Sequence, residues 1–379
     1  MQKYAFLLWR EPLLSFAELE SIFSNVVKID NFALIEEERE TIEKYKNSLW
    51  GTIKIALIHG EWIKKNDLLA LVVEKIKGKT QENKKLRIAL DVFTPPLSSL
   101  VFKVKDQLKE QWSSIRVVQH DNGRVKTATT IHEKLIEQGI ELVIYPDKAW
   151  FTLAETIWIQ DIEGYSQRDI NRDRSMVVGM MPPKIAQIML NLGTKGERNL
   201  TIWDPFCGLG TTLIEAYNSG FSKMIGSDLD SKMAEVTKKN MEQQKQSSEM
   251  QIETFTLDAK TIDTHVLKGP TAVITEWMLG RNFTSSTITQ QDAFQERKIL
   301  TELYVWFLSS SYKNNHIKNM VFCLPFWNIG KETLFMPEMP LLSKEWSVDS
   351  LCLKGKRYLI HMRPWQCVGR EIIILNRQK

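Results

Sequence analysis

Nine residues, DPFCGLGTT at positions 204–212, constrain this chain more than any other stretch. They lie between a β-favouring run, LTIWD, and a segment with helical apolar spacing, TTLIEAYNSG. From Leu200 onward strand and helix patterns take turns: LTIWD, TTLIEAYNSG, KMIGSD, SKMAEVTKKNMEQQ, ETFTLDA and TAVITE. Such alternation predicts a mostly parallel sheet with helices on both faces. In the first turn Gly208 and Gly210 carry no side chain, so backbone there can approach a ligand closely.

Elimination narrows the ligand. A triphosphate-cradling loop needs lysine directly before the hydroxyl residue, and here Gly210 precedes Thr211. A dinucleotide turn needs a third glycine at position 213, which is leucine. Asp204 beside the turn repels phosphate but suits a ligand carrying an ammonium and a sulfonium. Asp228 closes KMIGSD, 24 residues beyond Asp204, and can accept hydrogen bonds from both hydroxyls of a ribose. Asp258 ends the next strand and can do the same for an adenine amine. S-adenosylmethionine fits this charge pattern better than a nucleotide does. The bland alternative is three exposed strand-end carboxylates and a glycine turn without a ligand.

The rest of the chain sets bounds. At 379 residues it exceeds what one core usually serves, so two or three domains are expected. Its 43% hydrophobic and 25% charged residues are ordinary for a soluble globular protein. No apolar stretch approaches a membrane span and the N-terminus lacks a cleavage site, so a cytoplasmic protein without membrane contact is expected. Cys207, Cys323, Cys352 and Cys367 are widely spaced, which predicts buried free thiols rather than disulfides or a metal site. Net charge is only +4, but residues 60–130 hold 14 Lys or Arg against 8 Asp or Glu. That excess suits a polyanion, and equally a solvated helix face.

Along the N-terminal half, QKYAFLLW reads as a strand broken by Pro12, and Ser15 with Glu18 as the capping box of a helix through Leu19 and Ile22. A strand from Gly51 to Ile58 closes a small α/β unit. Helices are predicted over LLALVVEKI (68–76), LVFKVKDQLKEQW and ATTIHEKLIEQG, the last capped by Gly139. Strands are predicted over LRIALDVF (86–93), IELVIY and AWFTLAETIWIQD. The polar stretch GYSQRDINRDR (164–174) marks a linker. After it MPPKIAQIMLNLG begins a new domain, and CVGREIIILN reads as a final sheet strand.

The stretches DPFCGLGTTLIEA, GSDLD and RDR…GMMPPKIAQIMLNLG resemble those of the THUMP-containing tRNA guanosine-N2 methyltransferases. REPLLSFAELE and residues 60–160, ending WIQDIEGYSQRD, are similar to that family's N-terminal half, so the resemblance spans nearly the whole chain. It implies an α/β protein: a ferredoxin-like unit at 1–59, a THUMP-like RNA-binding domain at 60–163, a linker at 164–175 and a Rossmann-like S-adenosylmethionine-dependent methyltransferase domain at 176–379. It further implies that the first two parts grip tRNA or another structured RNA, with Lys103, Lys105, Lys109, Arg116, Arg124 and Lys126 touching phosphates. Asp204, Pro205, Phe206, Cys207, Gly208, Gly210, Thr211, Asp228 and Asp258 would hold the cofactor. A guanosine would be flipped into the site.

In that family the fourth strand ends in Asp or Asn followed by two prolines and an aromatic ring. The acid or amide and a following carbonyl accept the hydrogens of a weakly nucleophilic amine, and the ring stacks on the base. Here the letters are Glu276, Trp277, Met278, Leu279 and Gly280. Glu276 keeps an acceptor, one methylene longer, and Trp277 or Phe283 is left to hold the base. Without the prolines, the backbone geometry they would fix is not assured. An active site of altered geometry is the reading the intact cofactor residues favour. A silent RNA-binding protein of the same fold and a DNA amino-methyltransferase are the rivals. The sequence leaves open the target nucleotide, mono- against dimethylation, the need for a small activator protein and the oligomeric state.

Overall fold

A computed structural model describes residues 1–79, 85–94, 97–109, 114–119, 122–164, 181–244, 250–281, 283, 288–337, 345–353, 359–363 and 366–378. Of the expected linker only Gly164 falls among them, so Arg168, Asp169, Arg172 and Arg174 lie outside the described residues, as do His120, Pro95 and Pro96. The chain divides into two compact units, Met1–Pro12 with Phe23–Ser166, and Leu13–Ile22 with Gln167–Lys379.

The first unit is built on one eight-stranded sheet. Its strands are β1 (Gln2–Leu8), β2 (Val27–Ile29), β3 (Phe32–Glu37), β4 (Thr52–Ile63), β5 (Lys85–Val92), β6 (Ser114–Val117), β7 (Gly139–Asp147) and β8 (Trp150–Ile159), in the order β2-β3-β1-β4-β8-β7-β5-β6. The boundary expected at 59/60 falls inside β4, which pairs with β1 on one side and β8 on the other. Alternation decides what each face of β5 buries. Ile88 and Leu90 meet Val72 and Ile76 of one helix (Leu68–Lys79) and Val101 and Val104 of another (Leu100–Leu108). Ala89 and Asp91 point the other way, where Lys54 donates to Asp91 at 3.3 Å and to Glu141 at 2.5 Å in a buried ion cluster.

Two local expectations are corrected. Pro12 does not merely end β1; it opens the helix Pro12–Ile22, where its missing N–H is harmless. Ser15 and Glu18 therefore sit inside that helix, fully buried, and form no capping box. The helix expected over ATTIHEKLIEQG is two, Thr127–His132 and Leu135–Gln138, because Lys134 takes φ 50° and turns the chain so that Leu135 buries against Ala89 and Val125.

The second unit carries a sheet ordered β11-β10-β9-β12-β13-β17-β15, with β14 beside β13 and β16 beside β17. Its strands are β9 (Thr201–Asp204), β10 (Lys223–Asp228), β11 (Gln251–Thr256), β12 (Thr271–Glu276), β13 (Ile317–Ile329), β14 (Glu332–Phe335), β15 (Trp346–Val348), β16 (Ile360–His361) and β17 (Val368–Arg377). The first five are parallel, and β17 runs antiparallel to β13. Helices Pro183–Thr194, Thr211–Asn218, Ser231–Gln244 and Gln290–Lys313 flank it. This is a Rossmann-like fold, as the alternation from Leu200 predicts. A core of Trp203, Val273, Trp277, Leu300, Tyr304, Phe307 and Phe322 fills one face. Among the described residues no helix is long and apolar enough to cross a membrane.

Candidate active site

In this sheet β10 lies on one side of β9 and β12 on the other, so the order reverses there. Ligands of open α/β sheets sit at the carboxyl ends of the strands flanking such a reversal. Asp204 ends β9 and Glu276 ends β12. A cavity of about 980 Å³ opens at this point, and nine of the ten residues singled out in the sequence line it: Asp204, Pro205, Phe206, Cys207, Gly208, Thr211, Asp228, Asp258 and Glu276.

The tenth, Gly210, has a different task. It caps the helix Thr211–Asn218 with φ +82°, and a Cβ there would press on Thr237 at 3.1 Å. Gly208, with φ +50°, is the glycine that faces open space: a Cβ would meet only the Phe206 carbonyl, 4.0 Å away. The turn between them is held by main chain. Cys207 N–H donates to Ser227 O at 3.0 Å and Gly210 N–H to Cys207 O at 2.7 Å. Gly208 N–H donates to Asp228 Oδ2 at 3.0 Å, and Thr237 Oγ1 donates to Gly208 O at 2.8 Å.

Each acidic residue meets a distinct environment. Asp204 is buried and accepts from Thr275 Oγ1 at 2.5 Å and from Phe206 N–H at 3.2 Å. Burial pushes its carboxyl up to about 7, with the hydroxyls of Thr275 and Thr212 pulling the other way. Asp228 is half-buried and also accepts from Asp230 N–H at 3.0 Å, while exposed Asp258 accepts from Lys260 N–H at 3.0 Å. A carboxylate has about four lone-pair sites, so both retain acceptor capacity. Burial likewise pushes the Cys207 thiol up, and the four cysteines are free, three of them buried. Among the described residues no group of three or more His, Cys, Asp or Glu could hold a metal ion.

The fourth strand end departs from the expectation in two respects. Glu276 forms an ion pair with Arg370 of β17, whose Nε donates to Glu276 Oε1. Burial pushes the Glu276 carboxyl up from the carboxylate range while Arg370 and then Arg363 pull it down. Trp277 is not a stacking platform. It is 1% exposed and lies flat on Phe322, ring centroids 3.8 Å apart and planes 2° from parallel. Phe206, Trp277 and Phe283 all line the cavity, but Trp277 is committed to the core; Phe283 is only partly buried, with the Arg281 guanidinium 5.2 Å from its centroid.

The prolines also have a replacement. Tyr304 donates its hydroxyl to Met278 O at 2.7 Å, Gly280 takes φ +90°, and Glu296 accepts from Arg281 Nε at 2.5 Å and from Arg281 N–H at 3.3 Å. A helix far along the chain thus pins the loop after β12. Sequence reading missed Arg370, Thr275, Tyr304 and Glu296. The pair Arg370-Glu371 inside the apolar run of β17 was the one available signal, since a charge in a buried strand needs a partner.

In the first unit the basic residues separate. Arg116 pairs with Glu133 at 2.6 Å, and Arg124 pairs with Asp91 at 2.6 Å and lies 3.4 Å over the Phe93 ring. Lys109 pairs with Asp106 at 2.6 Å, whereas Lys103 and Lys126 are exposed.

Residues 172–276 match a family of methyltransferase domains, UPF0020, described as RMKL-like. A tRNA (guanine(10)-N2)-dimethyltransferase from Methanocaldococcus jannaschii is 30% identical over 139 residues, 37% of this chain and 39% of that protein. One of the same name from Methanothermobacter thermautotrophicus is 37% identical over 94 residues, 24% of this chain and 27% of that protein. The matched stretches thus span well under half the length of these relatives. TrmN from Thermus thermophilus has the same fold, with a TM-score of 0.50 and 12% identity over 99% of this chain and 100% of that one. Residues 172–276 are thus similar to RMKL-like methyltransferase domains, and stretches of the chain are similar to two tRNA guanine-N2 dimethyltransferases.

Proposed function

We propose that this protein transfers a methyl group from S-adenosylmethionine to the exocyclic N2 amine of a guanosine in tRNA, in the cytoplasm. The observation that carries this reading is the meeting of two strand ends in one cavity: the glycine turn after Asp204, and Glu276 beside it. The names of both archaeal relatives supply the acceptor.

The residues present fit the cofactor. Gly208 leaves open space where a Cβ would stand; Asp228 ends β10 and Asp258, two residues beyond the end of the parallel neighbour β11, caps the following helical turn, both with acceptor capacity to spare. Asp204 would answer a positive charge; Asp228 would hold ribose hydroxyls and Asp258 the adenine amine. When bound, the cofactor supplies an electrophilic methyl on a sulfonium. The chain's own part is positioning and exclusion of water. Glu276 accepts an N–H of the amine, so the nitrogen can turn tetrahedral with its lone pair directed at the methyl. Phe283 backs the flipped base. Exposed lysines such as Lys103 and Lys126 would meet tRNA phosphates.

A second reading, a silent RNA-binding protein, draws support from the Arg370 pair on Glu276 and the burial of Trp277. Labelled methyl transfer to unmodified tRNA, with duplex DNA alongside, separates the two. Label in a tRNA guanosine is expected. Label in DNA alone would remove the proposal, and binding of both cofactor and tRNA without transfer would select the silent reading.

A further inference from the structure

Arg370 is 3% exposed on β17, followed in that strand by the buried Ile372, Ile373, Ile374 and Leu375. A guanidinium in such a strand is retained only with a partner, and its partner is the one carboxylate that the methyl-transfer reading assigns to the acceptor. Its contact is one-sided. Nε takes Oε1, and nothing among the described residues donates to Oε2. Both side chains line the same cavity.

We infer that Arg370 is the positioning residue of the acceptor site: by holding Oε1 it fixes the rotation and charge of Glu276 and leaves Oε2 for an amine hydrogen. This rests on the methyl-transfer reading. The physical need is plain from the surroundings. Glu276 faces Arg370 from β17 and Arg363 from the segment before it, with Cys323 at its register position on β13; its neighbour Thr275 on β12 donates to Asp204 of β9. Arg370 is the cation in direct contact. Without it, burial would return a proton to the carboxyl, and a carboxylic acid offers its hydroxyl as a donor where the amine needs an acceptor. The longer side chain of Glu, compared with Asp, also adds a rotatable bond that the buried Nε–H held on one oxygen restrains.

The test compares Arg370→Gln and Arg370→Lys in the full chain. Carbon-13 carboxyl shifts of glutamate-labelled protein, with Glu276 assigned by its loss in Glu276→Gln, give the carboxyl's midpoint without any turnover. Methyl transfer to unmodified tRNA gives kcat against pH. In Arg370→Gln the midpoint is expected to rise by about one pH unit or more, and the acidic limb of kcat with it. At neutral pH kcat should drop roughly tenfold or more, with cofactor affinity kept. Arg370→Lys keeps the charge but not the planar Nε–H donor, so its midpoint stays near wild type and kcat falls less. An unmoved midpoint and limb in Arg370→Gln would overturn the assignment. Should that variant not fold, Arg370→Lys decides: lower kcat at unchanged cofactor affinity supports it, wild-type kcat overturns it. If the wild-type protein labels no RNA while the midpoint still moves in Arg370→Gln, the proposed function fails alone and the hold of Arg370 on Glu276 stands.

Discussion

The turn after β9 and the loop after β12 start side by side at the carboxyl ends of two neighbouring strands, and they are held in different ways. The turn is fixed chiefly by its own main chain and the neighbouring strand, through Cys207, Gly208 and Gly210 bonding to one another and to residues 227 and 228, with Thr237 and Asn240 of the next helix donating to the Gly208 and Leu209 carbonyls. The loop is fixed by side chains from remote segments, Glu296 and Tyr304 on one helix, Phe322 on β13 and Arg370 on β17. Their carboxyls differ as well. Burial pushes Asp204 up to about 7 against the pull of two hydroxyls, whereas the same effect on Glu276 is opposed by a guanidinium in direct contact.

The largest effect expected from breaking this contrast is on folding. Trp277→Ala should destabilise the second unit by about 3–5 kcal/mol, the usual cost of emptying a buried aromatic site, read as a lower urea midpoint. Phe283→Ala should instead leave stability nearly unchanged and weaken RNA methylation. A Trp277→Ala protein of normal stability with lost RNA affinity would return Trp277 to the ligand.

Stability against pH tests the Asp204 side. Its carboxyl keeps a proton up to about pH 7 when folded and releases it near 3.8 when unfolded. Raising the pH through that window therefore favours the unfolded chain, with a loss on the order of 4 kcal/mol complete by about pH 7. Asp204→Asn should flatten the slope between those pH values in urea titrations, and a slope equal to wild type would locate the titrating group elsewhere. Cofactor affinity of the same variant should fall, as calorimetry would register.

Glu276→Ala comes next. Methyl transfer should drop by on the order of a hundredfold while cofactor affinity holds, and undiminished single-turnover rates would place the acceptor elsewhere. Smallest is Tyr304→Phe, which removes one hydrogen bond to the Met278 carbonyl. About 1 kcal/mol of stability should go with it, and kcat should decline more than cofactor affinity; equal decline in both would mean the loop is not what Tyr304 serves.

How much could be read from the residues varies along the chain. Strands and helices from Leu200 onward follow their apolar periods, and the Asp204 and Asp228 strand ends could be placed from spacing, whereas Asp258 falls two residues past its strand, where its side chain caps the next helical turn. Trp277 misled because a bulky aromatic beside a strand end looks the same whether it turns to ligand or to core; burial beside Phe322 is invisible until β13 is in place. Gly210 misled more mildly. Its φ and its contact with Thr237 belong to a helix N-terminus, which the glycine letter alone does not distinguish from ligand approach. The capping box at Ser15 and Glu18 failed because Pro12 offered a better first turn three residues earlier.

By itself the sequence determined the alternating sheet, the glycine turn and the carboxylate at each strand end, because periodicity and local turn chemistry act over a few neighbouring residues. Only the tertiary structure decided how Glu276 is held, that Trp277 is committed to the core while Phe283 is only partly buried at the cavity, and what replaces the prolines. Those answers depend on Arg370, Phe283, Glu296 and Tyr304, residues 94, 7, 20 and 28 positions from Glu276 in the sequence. Nothing local to ITEWMLG encodes them; sheet pairing between β13 and β17 and the packing of helix Gln290–Lys313 bring them to the site.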